Sequence, residues 1–160
     1  MMSRHLFLLL TCFLVQASFA SDKPHVEKKL DSLFVYGQGF VFSVKEPEGW
    51  IGDTINAEKL SANIIFYPAS QKLDKAQTII RVLIAKKTDE NIAEDLASDM
   101  KGYRDQYPNV LFQDISISHP KYQVLPKLFT VQGNFYEYVA YMNPEPAKKL
   151  MFSVSMNKQK

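Results

Sequence analysis

Cysteine is almost absent: the 160 residues hold one, Cys12. It lies in the apolar stretch that opens the chain, and cleavage after that stretch leaves none. Without thiols there is no disulfide framework, no thiolate metal site and no thiol nucleophile. Histidine is nearly as scarce, and His5, His25 and His119 stand at no metal-ligand spacing. Glycine is sparse as well. Gly37-Gln38-Gly39 lacks the third glycine and the following helix of a dinucleotide loop, so a bend before a strand is expected there. Neither a metal nor a cofactor is expected. An excess of one charge is also missing, with 19 basic residues against 17 acidic. The basic ones come as scattered pairs, Lys28-Lys29, Lys86-Lys87 and Lys148-Lys149, so no stripe forms for nucleic acid or an anionic membrane. No Asn-x-Ser/Thr sequon occurs, and with the missing disulfides this leans towards a bacterial periplasm.

Residues 1–20 have the layout of a secretory signal. Arg4 and His5 give a positive start, residues 6–15 are mostly apolar, and Ser18-Phe19-Ala20 sets small residues at the minus-three and minus-one positions before Ser21. That apolar run is about half of the roughly twenty residues a bilayer-spanning helix needs. The expectation is therefore export, periplasmic or secreted, with no stable membrane span after cleavage. Only Arg4 among the charged residues is removed, so the remaining 140 residues carry a net +1, and they suffice for one domain with its own core.

What is present is organised around residues 40–50. Phe40, Phe42 and Val44 alternate with Val41, Ser43 and Lys45, the period of a strand with one buried face. Pro47 and Gly49 then form a turn that brings Trp50, the only tryptophan, back towards the sheet. Residues 21–34 are expected to be an arm or a short helix, with Leu30, Leu33 and Phe34 on its apolar side, and residues 35–160 a single α+β domain. Further strands are expected at 62–67, 78–86 (central, buried on both faces), 110–118, 127–132, 135–142 and 149–156, with Gly133-Asn134 as a hairpin turn. Between them runs one long helix, capped by Thr88 or Asp89 and ended by Pro108, whose packing stripe is Ile92, Leu96, Met100, Tyr103 and Tyr107. The sum is a mainly antiparallel sheet of about six to seven strands with the helix on one face.

The aromatic-x-aromatic-x-Val strand followed by Pro-x-Gly-Trp, carried by Phe40, Phe42, Val44, Pro47, Gly49 and Trp50, resembles the PsbP-like family. The strands at 136–142 and 150–156 follow in the family's order, and the resemblance covers roughly residues 40–157. It implies a sandwich around an antiparallel sheet and a role in binding or accessory assembly, without catalysis. The chain departs from the family in ending four residues past Met156, where a closing helix would follow. One sheet face is then left open, or covered by residues 23–34, or covered by a partner. No family site residue carries over, because the shared motif is structural.

Alternation along residues 135–142 puts Tyr136, Tyr138, Ala140 and Met142 on one face, and Phe135, Glu137, Val139 and Tyr141 on the other. Trp50, Tyr136, Tyr138 and Met142 are therefore the candidate binding residues, since tyrosine and tryptophan join apolar area to a polar handle. The function expected is that of an exported, non-catalytic binding or accessory protein acting through a sheet face on a protein or small ligand. An inhibitor or immunity-type protein is the alternative, with residues 70–75 and 119–126 as plug loops. A carboxylate-based hydrolase using Glu46, Glu48 or Glu137 is the third. His119, beside Ser116, Ser118 and Asp114, reads as a loop residue. Glu90 with Glu94, and Asp95 with Asp99, read as a solvated helix face.

Overall fold

The computed structural model describes residues 25–29, 32–37, 40–88, 91–131, 135–144 and 150–159. The expected signal at 1–20 and the Gly133-Asn134 turn lie outside them. The described chain runs β1 (His25–Lys29), β2 (Ser32–Gly37), β3 (Phe40–Lys45), β4 (Trp50–Asp53), a 3₁₀ turn (Ala57–Leu60), β5 (Ile64–Pro68), a second 3₁₀ turn (Leu73–Lys75), β6 (Thr78–Lys86), α1 (Ile92–Gln106), β7 (Leu111–Asp114), β8 (Gln123–Val131), β9 (Phe135–Asn143) and β10 (Leu150–Gln159). Seven strands form one sheet in the order β4-β5-β6-β10-β9-β8-β7, and β1-β2-β3 form a second, smaller sheet. Every described pairing is antiparallel, so the fold is α+β with a seven-stranded antiparallel sheet.

The small sheet lies on one face of the large one, over β4, β5 and β6. Leu33 and Val35 from β2 meet Ile64, Phe66, Val82 and Ile84, with Phe40, Phe42, Val44 and Trp50 packed around them. The expected alternation of β3 is present: Phe40, Phe42 and Val44 are half-buried while Val41, Ser43 and Lys45 are exposed. The turn after it has Gly49 at φ 76°, with the Trp50 amide donating to the Pro47 carbonyl at 3.1 Å. This is the type II geometry that favours glycine. Against the small sheet, Gly52 of β4 leaves no room for a side chain. A Cβ there would stand 2.6 Å from Leu33 Cδ1 and 2.6 Å from Glu46 Oε1.

The opposite face carries α1, over β8, β9 and β10. Ile92, Leu96, Met100 and Tyr103 pack on Phe129, Val139, Tyr141 and Met151. Phe129 is fully buried, with Tyr103 and Phe112 edge-on to it at 4.7 and 4.8 Å. The 3₁₀ turns cover the other end of this face, where Ala57 and Ala62 pack on Ile65.

Four expectations need correction. Around Leu33 and Phe34 the chain is strand, not helical turn, because Leu33 and Val35 both fill the core at a spacing of two. The cap of α1 is Asn91, whose side chain accepts from the Ala93 amide at 3.0 Å. Thr88 instead donates from its amide and hydroxyl to Asp95. The strand expected over 110–118 stops at Asp114. In the observed register Asp114 stands opposite Lys127, so Ile115 would face Pro126, which has no amide to give. Strand β6 is buried less evenly than expected: Val82 and Ile84 are buried on one face, and on the other Ile79 and Ala85 are half-buried against the helix-side clusters while Leu83 between them is exposed.

Candidate functional site

The small sheet covers β4, β5 and β6, and Val154 of β10 packs at the edge of the core beneath it; the same face of β9, β8 and β7, with the Met156 end of β10, has no layer over it among the described residues. The register lines its side chains up in rows. Met156, Tyr138, Leu128 and Gln113 form one; Tyr136, Thr130 and Leu111 form the next, with Lys158 at its β10 position; Val154, Ala140 and Pro126, then Met142 and Val124, continue the face. Tyr138 is 43 % exposed, Tyr136 37 %, Met156 36 % and Leu111 67 %. Apart from the Lys158 position none of them is charged. The opposite face carries Asp114, Lys127 and Glu137 on β7, β8 and β9, and Arg81 on β6, so charge is concentrated on one side of the sheet.

Three of the four candidate binding residues, Tyr136, Tyr138 and Met142, share this half-face. Trp50 does not join them. It lies on the same side of the sheet, but β4 is four strands from β9, roughly 19 Å at the usual strand spacing. There it is half-buried and packs against the core under the small sheet. Trp50 is a core-edge anchor.

On the helix side, between α1 and the first 3₁₀ turn, the sheet opens into a polar cleft of about 250 Å³ lined by Ser61, Arg81, Leu83, Asp99, Tyr103, Glu137, Val139, Ser153 and Ser155. Glu137 is buried, 3 % exposed. One of its oxygens accepts from the Arg81 guanidinium and the other from the Tyr103 hydroxyl. Arg81 also donates from Nε to Ser155 Oγ at 3.1 Å. The Tyr141 hydroxyl donates to Asp99. Burial, and then the carboxylate that each hydroxyl donates to, push Tyr141 and Tyr103 above the ordinary tyrosine range, with Arg81 partly opposing this at Tyr103. Both hydroxyls therefore remain protonated donors.

The solvated-face reading of the helix needs correction. Asp95 overturns it outright, being buried at 8 % exposure; Asp99 is exposed, as the reading has it, but accepts from Tyr141 at the sheet-side edge of the helix, and Glu94 is exposed. Glu90 lies outside the described residues. The spacing was the available signal: Asp95 falls in phase with Leu96, Met100 and Tyr103, and only its charge argued for solvent.

The three carboxylates considered for hydrolysis do not converge. Glu46 accepts from Lys28 Nζ at 2.6 Å and from the Gly52 amide at 3.0 Å, which ties the small sheet to β4. Glu48 is exposed in the turn, and Glu137 is on the opposite face of the sheet from both. His119 stacks on Tyr122 at 4.5 Å and accepts the Lys121 and Tyr122 amides, the bonds of a loop histidine. His25 stacks on Tyr36 in the small sheet. Among the described residues no three His, Cys, Asp or Glu side chains gather where a metal ion could be held.

No protein-family model matches the chain, and no curated protein matches it.

Proposed function

We propose that the chain is an exported, non-catalytic accessory protein that binds another protein through the charge-poor half-face of its main sheet. The observation that carries the proposal is the sided distribution of charge over β7 to β10. Tyrosine, methionine, leucine and proline occupy most of one side, with Lys158 of β10 the one charged position in its rows, and charge-poor aromatic surface of this kind is the composition of the centre of a protein interface. A small ligand is less well served, since ligand sites are concave and this is a sheet surface.

Four strands at about 4.8 Å by six residues at about 3.4 Å give a patch of roughly 400 Å². Patches of that size on monomers are commonly functional. It is about half the roughly 800 Å² that each partner contributes to a standard interface. A permanent homodimer buries several times more, so the patch suits a transient complex with a different protein whose matching surface is also apolar and charge-poor. Export rests on the signal-like residues 1–20. Within this proposal the sandwich is PsbP-like, supported by the Phe40-to-Trp50 pattern, with β1, β2 and β3 supplying over β4, β5 and β6 part of the layer that a closing helix would form.

An inhibitor-type role draws support from the loop between β7 and β8, where Ile117 is 51 % exposed and Tyr122 37 %. The two readings separate by mutation. Tyr138→Asp places a charge at the centre of the half-face and should abolish co-purification of a stoichiometric partner from the host, with the melting temperature within a few degrees of wild type. Ile117→Asp should leave it intact. The opposite result would move the contact to the loop and defeat the proposal.

A further inference from the structure

The polar cleft on the helix side has no part in that binding reading, and its chemistry is specific. Arg81 has five donors. Its Nε serves Ser155 and one Nη serves Glu137, the guanidinium also acts on the Tyr103 hydroxyl, and its side chain is 32 % exposed, which leaves part of the fork facing the cleft. Glu137 has both oxygens occupied and balances Arg81. The remaining charge of the cleft is Asp99, an exposed carboxylate that accepts one bond from Tyr141.

A simple anion could take the cleft-facing guanidinium donors but would enter a cleft whose net charge is already negative. A simple cation could take Asp99 but would leave the remaining Arg81 donors unused. A molecule carrying both charges answers both. The volume, about 250 Å³, is below the usual range for drug-sized ligands. It adjoins a second cavity of about 520 Å³ that shares Ser61 and Leu83 and is also lined by Glu58, which extends the acidic side.

We infer that this cleft is a binding site for a small α-amino-acid zwitterion with a basic side chain. Its carboxylate pairs with Arg81, its ammonium with Asp99, and its side chain extends past Ser61 towards Glu58. The guanidinium fork suits a carboxylate because two parallel N–H donors meet its two oxygens.

The test is titration of the full mature chain with L-lysine, followed by calorimetry and by amide shifts, with acetate and ethylamine as the two half-molecules. Saturable binding of L-lysine is expected, at least tenfold tighter than either half. Asp99→Asn keeps an acceptor for Tyr141 and sits at an exposed position, so the fold should stand while affinity falls at least tenfold. Leu83→Trp, which fills the junction of the two cavities, should also abolish binding. Arg81→Gln removes the carboxylate partner but unpairs Glu137, so it is read only if its melting curve remains cooperative. Tyr138→Asp, on the other face, should bind as wild type does, which separates this test from that of the protein interface. Absence of saturation by L-lysine at millimolar concentration would overturn the inference, as would binding indifferent to both Asp99→Asn and Leu83→Trp.

Discussion

Raising the pH above 10 should cost this fold stability through two particular hydroxyls. Tyr103 and Tyr141 are held protonated in the native state by burial and by donation to Glu137 and Asp99. In the unfolded chain they ionise near 10. Below that pH the contribution is fully present. Above it the unfolded state releases protons that the folded state keeps, so stability falls as pH rises. One such group loses about 1.4 kcal/mol by pH 11 if its native hydroxyl stays protonated. Tyr141 is almost fully buried, 3 % exposed, and should show nearly all of this; Tyr103 is only partly buried and should show about half, giving a joint loss of ~2 kcal/mol. The comparison is with the double variant Tyr103→Phe/Tyr141→Phe. At pH 8 that variant lacks two hydrogen bonds to carboxylates, worth about 1.5 kcal/mol each at the lower end for charged partners, so it should be ~3 kcal/mol less stable. By pH 11 the gap should narrow to ~1 kcal/mol. Urea unfolding at half-unit intervals from pH 8 to 11 measures both curves. Parallel curves would refute the assignment of these two hydroxyls as protonated donors in the native state.

Gly52→Ala should destabilise by about 1–3 kcal/mol, the usual cost of overpacking, because its Cβ would strike Leu33 from the small sheet; a change below 0.5 kcal/mol in denaturant midpoint would place the two sheets further apart. Phe129→Ala removes the ring that Tyr103 and Phe112 pack against edge-on, and about 3–5 kcal/mol should be lost. Out of a typical total of 5–15 kcal/mol, that should lower the thermal midpoint by ten degrees or more in a calorimeter.

Much of the fold was legible because its signals were local. The alternation of Phe40, Phe42 and Val44, the glycine that permits the turn before Trp50, the α1 stripe and the two faces of β9 each need only neighbouring residues. What was not legible depended on register or on distant packing. Residues 115–118 alternate as well as residues 111–114, and only the pairing of Asp114 with Lys127 shows that the next partner is Pro126. Leu30, Leu33 and Phe34 fit a helical turn, while Leu33 and Val35 fit a strand, and the large sheet beneath decides between them. At the candidate sites, alternation grouped Tyr136, Tyr138 and Met142 on one face of β9, but which face lies open is decided by α1 packing on the other. The removal of Trp50 from that group needed the strand order, which separates β4 from β9. Arg81 and Glu137 are 56 residues apart and meet only once β10 lies between their strands. Asp95 hid behind its charge.

The claim that the charge-poor half-face holds a protein is tested most directly by placing a photo-activated cross-linking residue at position 138 and, in a separate variant, at position 101. Position 138 lies at the centre of the half-face and position 101 on the exposed side of α1. Irradiation in the host should give one defined adduct of a different polypeptide from position 138 and none from position 101. Blank lanes from both, the same adducts from both, or an adduct of twice the chain's own mass would contradict it.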